Sequence, residues 1–296
     1  MSREAIFLSE AADEEETLRL LQSEFPERGF KKAKLIYDGW ENVVAEVDQD
    51  WIVRFPKVGT QKIARERAYL NALKGHTSVQ IPLIELWAET PACMGYRKLE
   101  GWQARGEDID AMQPAGIDAL GEDLALFMVE CRKALTEKAV AGLDVSPGWS
   151  KPDLDSLAMR LGTLGESKTT DRFLNATKLV CELEDAAPQA FLHRDLHPGN
   201  YLLDQDKRRL KAVFDFGDAD FGDVHRDFAN LATRPFLMQA TASAWQRYTG
   251  ITLDPHLMRA QAWLYYLGIL ADYVEEPDSF QHQFARRSLA ALEALG

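Results

Sequence analysis

One segment of the chain, residues 191–223, constrains the fold and the chemistry more than any other stretch. Asp195 follows a short apolar run, and Asn200 comes five residues later, at the start of a predicted strand. A turn at 204–207 leads to a second apolar run, which ends just before Asp215. Because a hairpin brings its two open ends together, we expect Asn200 and Asp215 to lie side by side, next to the loop that carries Asp195.

These three side chains are suited to phosphate chemistry. The carboxylate of Asp215 and the amide oxygen of Asn200 match the preference of Mg²⁺ for a few protein oxygens, with phosphate and water completing its shell. The second carboxylate, that of Asp195, can accept a proton from an attacking hydroxyl. The set predicts phosphoryl transfer, in which positioning and charge neutralisation supply most of the catalysis.

The run His193-Arg194-Asp195 with Asn200, followed by Asp215-Phe216-Gly217, resembles the catalytic loop and metal-binding motif of kinase-fold enzymes. The wider segment is similar to the aminoglycoside phosphotransferase family, which also includes choline, fructosamine and macrolide kinases. The resemblance implies an α+β, protein-kinase-like two-lobed fold, with a β-rich N-terminal lobe and a mostly helical C-terminal lobe. It also implies that Asp195 is the catalytic base, that Asn200 and Asp215 hold Mg²⁺, and that ATP or GTP is the phosphate donor.

The hydrophobic periodicity of the whole chain agrees with two lobes. We expect a nucleotide-binding lobe over 1–100, and a helical lobe with the catalytic loop and acceptor site over 101–296. Short strands are predicted in the first lobe at 33–37, 43–47, 51–55, 83–88 and 94–99. A helical pattern also starts at about residue 115. Further helices are predicted at 13–25, 60–74, 153–164, 170–185, 224–233, 237–248, 255–274 and 279–294.

The strand over 51–55 places Ile52 and Arg54 on one face. In the family a lysine usually stands at the position of Arg54 and grips the α- and β-phosphates. Arginine can do this through its planar fork, and Lys57 is the alternative phosphate ligand. By the same resemblance, Ile52 lines the base pocket and Glu66, in the following helix, pairs with Arg54.

The resemblance assigns two further segments to the nucleotide site. The turn around Gly39 lies between two predicted strands and is similar to the family's phosphate-covering loop, although a plain hairpin turn would give the same pattern. Residues 96–101 resemble the family's hinge, whose backbone hydrogen-bonds the purine. This similarity assigns Arg97 and Leu99 to the nucleotide site.

A protein kinase is a competing interpretation, because Arg194 matches protein kinases rather than many small-molecule members of the family. Residues 216–232 contain no serine, threonine or tyrosine, and the predicted helix that follows leaves no room for a peptide-docking activation segment. The sequence therefore favours a small-molecule acceptor. A nucleotide-binding regulator without catalysis is a second alternative, although the chain keeps Asp195, Asn200 and Asp215.

The acceptor is predicted from charge. Asp218 and Asp220 follow the metal motif, and Glu275 and Glu276 lie near the C-terminus, where they could bind a polycationic aminoglycoside, as an antibiotic kinase would. An exposed acidic helix end is equally compatible with these residues. Tyr265 and neighbouring aromatic residues could instead form a wall for a macrolide or a sugar, and a metabolic acceptor such as choline or a fructosamine stays open.

The composition of the chain indicates which binding partners and which cellular location to expect. The formal net charge of −13 argues against a nucleic-acid partner. No run approaches the roughly 18 apolar residues of a membrane helix, and the N-terminus lacks a basic start followed by an apolar stretch. Cys93, Cys131 and Cys181 form no metal pattern, and three is an odd number for a disulfide framework. We therefore expect a monomeric cytoplasmic protein that does not bind membranes.

Overall fold

The computed structural model describes residues 13–36, 42–57, 60–90, 92–143, 154–183 and 187–295. Gly39 and the turn around it lie outside these residues, so the prediction of a phosphate-covering loop there stays a prediction. The described part of the chain contains no helix long and apolar enough to cross a membrane.

The N-terminal part of the chain folds into a five-stranded antiparallel sheet with the strand order β1-β2-β3-β5-β4. Its strands are β1 (Ala33–Ile36), β2 (Asn42–Val47), β3 (Trp51–Pro56), β4 (Ile84–Glu89) and β5 (Ala92–Arg97). Helix α1 (Glu14–Glu24) packs on one face of the sheet, and α2 (Gln61–Leu73) packs against the other. The predicted small sheet is confirmed, with two helices on it rather than one.

Strand β3 shows how the sequence orients the sheet. Trp51, Val53 and Phe55 are buried in the apolar core that α1 covers, because side chains alternate between the two faces of a strand. Ile52 and Arg54 therefore point to the opposite face, as the alternation predicts. Helix α2 lies on this face. The charged side chain of Arg54, in the middle of a buried strand, can therefore reach a partner on that helix.

The C-terminal part is mostly helical, which confirms the predicted α+β, kinase-like fold class. Its helices are α3 (Gly106–Asp110), α4 (Pro114–Ala134), α5 (Glu137–Ala141), α6 (Leu154–Gly162), α7 (Ser167–Leu183), α8 (Pro235–Thr249), α9 (Pro255–Asp272) and α10 (Phe280–Ala294). Helices α6 to α10 lie within a few residues of their predicted bounds, whereas α3 and α5 are short and were not predicted.

Two small sheets frame the segment that carries the motifs. Strands β8 (Tyr201–Leu203) and β9 (Leu210–Val213) form the predicted hairpin, and β6 (Trp102–Gln103) pairs with β8. Strands β7 (Gln189–Leu192) and β10 (Asp220–Asp223), which were not predicted, pair antiparallel. The loop after β7 and the loop before β10 are thereby brought together.

The α-helix predicted over 224–233 is instead a 3₁₀-helix over Val224–Leu231. A short apolar pattern does not distinguish a period of 3.0 from one of 3.6 residues. Here the 3₁₀ geometry has a clear reason, since side chains three residues apart share one face of such a helix. Asp227 and Asn230 both face the loop after β7, where they bond its backbone at 2.6 and 3.3 Å.

Alanine substitutions at two helix-interior glycines are predicted to change the stability of the protein in opposite directions. Gly121 on α4 lies against α8, and a methyl group there would stand 2.7 Å from the Cβ of Ala240. We expect Gly121→Ala to lower the free energy of unfolding by about 1–3 kcal/mol, despite the better helix propensity of alanine. Gly268 on α9 has no atom within 4 Å of the same position, and Gly268→Ala should raise stability by about 0.5–1 kcal/mol. Urea unfolding of both variants tests the pair, and a stabilised Gly121→Ala variant would contradict it.

Candidate active site

The loop that carries Asp195 is held by a buried carboxylate on the 3₁₀-helix. Asp227 accepts hydrogen bonds from the backbone N–H groups of His193 at 3.1 Å and of Arg194 at 2.6 Å. Arg194 has a positive φ of 66°, a backbone conformation that a non-glycine residue adopts only at a cost. Burial raises the pKa of Asp227 to about 6, while the two N–H groups favour its charged form. Asp227 thus fixes the sharp bend that presents Asp195.

His193 closes the same bend from inside the protein. Its Nδ1 accepts the backbone N–H of Asp195 at 3.3 Å, and its Nε2 lies 3.0 Å from the carbonyl oxygen of Phe214. These partners define a neutral imidazole with the proton on Nε2, and burial accordingly lowers the pKa of His193. The imidazole ties the Asp195 loop to the end of β9.

Both oxygens of the Asp195 carboxylate have hydrogen-bond partners. Oδ2 accepts from the side-chain amide of Asn200 at 2.6 Å, and Oδ1 accepts from the hydroxyl of Tyr265 at 3.0 Å. The Nε2 of His197 lies 3.5 Å from Oδ2, while its Nδ1 accepts the N–H of Gly199 at 2.9 Å. Sequence reasoning did not connect Tyr265 with Asp195, because α9 begins sixty residues further along the chain.

The pKa of Asp195 predicts how the site responds to acid. Burial alone would raise this pKa, but the hydrogen bond and charge of His197 hold it at about 2. The interaction stabilises the fold most where Asp195 is ionised and His197 is protonated, and its contribution of about 2 kcal/mol is lost as the pH falls through about 2. We expect the stability difference between wild type and Asp195→Asn to be largest at about pH 5–6, to shrink toward about pH 2.5, and to shrink again above neutral pH as His197 loses its proton. Urea unfolding across this range measures it, and a difference that grows on acidification below about pH 5 would contradict the assignment.

Asn200 and Asp215 lie at the same end of the hairpin, as its geometry predicts. The register pairs Tyr201 with Val213, and the backbone N–H of Phe214 donates to the carbonyl of Asn200 at 3.0 Å. The amide nitrogen of Asn200 is turned to Asp195, which leaves its amide oxygen as the atom able to bind a cation. The Asp215 carboxylate is 42% exposed. The amide oxygen of the buried Asn200 and the half-exposed carboxylate of Asp215, at the same end of the hairpin, fit the few protein ligands that Mg²⁺ takes.

Arg54 joins the N-terminal sheet to this hairpin. Its Nη1 lies 2.6 Å from Oε1 of Glu66, and its Nη2 lies 2.7 Å from Oδ1 of Asp215. The same Glu66 oxygen accepts the backbone N–H of Phe216 at 3.1 Å. Burial opposes the charge of Arg54, but the two carboxylates keep its pKa above the usual range. Lys57 lies one residue past the end of β3, so Arg54 is the cation that the strand aims at the metal motif.

The predicted hinge over 96–101 starts in the last two residues of β5. The Arg97 side chain pairs with Asp50 at 2.8 Å and lies over the ring of Trp51, on the sheet face opposite Arg54. Only its backbone therefore remains for a purine, as the hinge assignment requires. Leu99 is half-buried just beyond β5, and Ile52 is half-buried beside Tyr96.

Of the four acidic residues suggested for the acceptor, Asp218 and Asp220 lie near the Asp195 loop, where their charges act on Arg194. Asp218 forms an ion pair with Lys62 of α2 at 2.7 Å, and Asp220 accepts the neighbouring backbone N–H of Phe221 at 2.8 Å. Glu275 and Glu276 are exposed after the end of α9. The end of α9 lies seven residues after Tyr265, about 10 Å along the helix, and both glutamates lie beyond it.

Comparison with known proteins identifies the family. No curated protein matches the chain, but the model of the APH family, described as the phosphotransferase enzyme family, matches residues 32–266. The chain belongs to the phosphotransferase enzyme family. The match includes Arg54, Glu66 and the whole segment from Asp195 to Asp215, so the site described above lies inside the family region of this phosphotransferase.

Solved structures agree with this membership at the level of the fold. The GDP complex of wild-type aminoglycoside 2'-phosphotransferase-IIIa is 21% identical, with a TM-score of 0.78 and coverage of 96% of this chain and 98% of that one. The streptomycin–ATP–APH(2'')-IIa ternary complex is 16% identical, with a TM-score of 0.65 and coverage of 96% and 97%. The macrolide 2'-phosphotransferase MphH from Brachybacterium faecium is 18% identical, with a TM-score of 0.63 and coverage of 93% and 98%.

Proposed function

We propose that this phosphotransferase transfers the γ-phosphate of ATP or GTP to a hydroxyl group of an antibiotic-like small molecule. The observation that carries the proposal is the convergence of Asp195, Asn200 and Asp215 at one end of a hairpin, with Arg54 reaching the same point from the other lobe. Solved neighbours that contain GDP or ATP support both donors. Family membership supports the reaction class.

Each residue has a distinct part in the proposed reaction. The Asp195 carboxylate accepts the proton of the attacking hydroxyl. Its low pKa keeps it ionised at neutral pH, so that it can act as a base. Asn200 Oδ1 and the Asp215 carboxylate would hold Mg²⁺, which neutralises charge on the phosphate oxygens. The two ion pairs of Arg54 use two of its five N–H donors, so the guanidinium can contact the α- and β-phosphates while Glu66 keeps it in place.

The acceptor class is proposed from the neighbours and from the charges around Asp195. An aminoglycoside is the first candidate, since solved neighbours contain streptomycin or kanamycin. A macrolide is the second candidate, and one local observation favours it. Asp218 and Asp220 near Arg194 suit a cationic acceptor, whereas the ring of Tyr265 beside the base offers an apolar contact to a macrolide.

The first experiment measures Mg²⁺-dependent release of nucleoside diphosphate, with ATP and GTP in parallel. The acceptor panel contains kanamycin, streptomycin, an erythromycin-type macrolide, choline, a fructosamine and a generic peptide. We expect release that an antibiotic stimulates and that disappears in Asp195→Asn. Tight nucleotide binding without turnover on any acceptor would instead favour a non-catalytic regulator, and stimulation by the peptide alone would favour a protein kinase.

A further inference from the structure

Tyr265 occupies one of the two oxygens with which the Asp195 carboxylate could receive a proton. Its phenol oxygen lies 3.0 Å from Oδ1, which is the distance at which a hydroxyl donates a hydrogen bond to a general base. The other oxygen of the carboxylate is engaged by Asn200 at 2.6 Å, with His197 at 3.5 Å. Within the described part of the chain, both oxygens of the base are thus engaged before any acceptor arrives.

The phenol is held in this position by the packing of α9. The backbone N–H of Asp254, at the start of the helix, donates to His225 at 3.0 Å, and Gln261 donates to the buried carboxylate of Asp223 at 2.9 Å. The ring of Tyr265 makes an edge contact with that of Tyr266, with 5.0 Å between centroids. A helix anchored at two points and carrying a half-buried ring holds the hydroxyl near Asp195 with little conformational freedom.

The protonation state of Tyr265 suits a hydrogen-bond donor. Burial and the nearby Asp195 charge raise the pKa of its phenol well above the usual range. The hydroxyl therefore keeps its proton at neutral pH, and it can donate to the Asp195 carboxylate. Such a donor competes with any other hydroxyl, including that of water, for the same oxygen.

We propose that Tyr265 is a positioning residue that shields Asp195 from water until the acceptor hydroxyl takes its place, and so suppresses hydrolysis of the nucleotide. This proposal rests on the proposed phosphotransferase activity. In the suppressed reaction a water oxygen bonds to the γ-phosphorus while the bond from that phosphorus to the β–γ bridging oxygen breaks. The nucleoside diphosphate leaves, and Asp195 accepts the water proton.

Tyr265→Phe is the direct test, because it removes the hydroxyl and keeps the ring. The vacated space borders a carboxylate oxygen, a polar position that a water molecule can fill. We expect acceptor-independent release of nucleoside diphosphate to rise about tenfold, the order of effect expected for loss of one hydrogen bond to a charged group. The free energy of unfolding of Tyr265→Phe, measured in urea, separates a gain of hydrolysis caused by the missing hydroxyl from one caused by a loosened structure.

Tyr266→Phe is the matched control. This neighbouring tyrosine is buried, and its hydroxyl bonds Thr233 and Ser288 instead of the base. We expect its acceptor-independent rate to equal that of wild type. The double variant Asp195→Asn with Tyr265→Phe should lose the extra hydrolysis, since water then has no base to receive its proton.

The measurements use the full chain with Mg²⁺ and ATP or GTP, first without acceptor and then with each antibiotic of the panel. An equal hydrolysis rate in wild type and Tyr265→Phe, with nucleotide binding intact, would overturn the proposal. If Tyr265→Phe does not fold, Tyr265→Leu is measured in the same way, with the same two outcomes. Failure of the phosphotransferase proposal would look different, because wild type would then release no diphosphate with any acceptor.

Discussion

Replacing Asp195 with asparagine is expected to lower kcat for phosphate transfer by roughly 10²–10⁴-fold, the range typical of a lost general base. The amide has nearly the same shape as the carboxylate but cannot accept the proton of the attacking hydroxyl. Its carbonyl oxygen can still receive the hydrogen bond of Tyr265, whereas its NH₂ group faces the donating amide of Asn200, which loses its acceptor. Steady-state release of diphosphate, with ATP or GTP and the preferred acceptor, measures the effect. Asp195→Ala should fall in the same range.

Asp206→Asn is the control for this loss. Asp206 is exposed in the turn between β8 and β9, on the same hairpin but at its far end. Its substitution changes the net charge by the same amount and should leave kcat unaltered. Turnover of Asp195→Asn within a factor of about two of wild type would remove Asp195 from the role of base, since proton transfer contributes at least about a hundredfold.

Replacing Arg54 with methionine is expected to lower the free energy of unfolding by about 3–5 kcal/mol, the cost typical of breaking a buried ion pair. Glu66 is only 1% exposed and depends on Arg54 for charge compensation. Without the guanidinium, its carboxylate stays buried with only the N–H of Phe216 as a partner among the contacts described here. Urea unfolding without nucleotide measures this loss independently of any role in phosphate binding.

Two further variants compare the contribution to stability of the buried Arg54–Glu66 ion pair with that of the exposed Lys62–Asp218 ion pair. Lys62→Met breaks the ion pair with Asp218, whose carboxylate is 55% exposed, and should cost less than about 1 kcal/mol. The double variant Arg54→Met with Glu66→Met should recover part of the loss, because no uncompensated carboxylate then remains at Glu66. Equal destabilisation by Arg54→Met and Lys62→Met would show that burial does not govern the Arg54 contact.

The local parts of the site could be predicted from the sequence. The hairpin turn and the alternation along β3 place Asn200 beside Asp215 and put Ile52 and Arg54 on one face. The predicted pairing of Arg54 with Glu66 is present in the structure as a 2.6 Å contact. Short-range backbone geometry decides the positions of Asn200, Asp215 and Arg54, whereas the pairing with Glu66 was implied by the family resemblance.

Other parts could not be predicted, because they join residues that are distant along the chain. The Tyr265–Asp195 contact spans seventy residues, and the contact of Arg54 with Asp215 spans more than twice as many. The acidic residues Asp218 and Glu275 looked similar in sequence, yet one is paired with Lys62 and the other is exposed beyond α9. Charge patterns alone carry no information on which partner each carboxylate meets.

By itself, the sequence determined the fold class, the spacing of the motif residues and the face of β3 on which Arg54 lies. The motif spacing in the hairpin and the face of β3 follow from turn geometry and periodicity, which act over short stretches of chain, whereas the kinase-like fold class was implied by the resemblance of the motifs. Only the tertiary structure decided that Arg54 bridges Glu66 and Asp215, that Asp227 fixes the bend at Arg194, and that Tyr265 reaches Asp195. The physical reason is that these contacts arise where separately formed elements pack, and packing depends on the shapes of all the surfaces that meet.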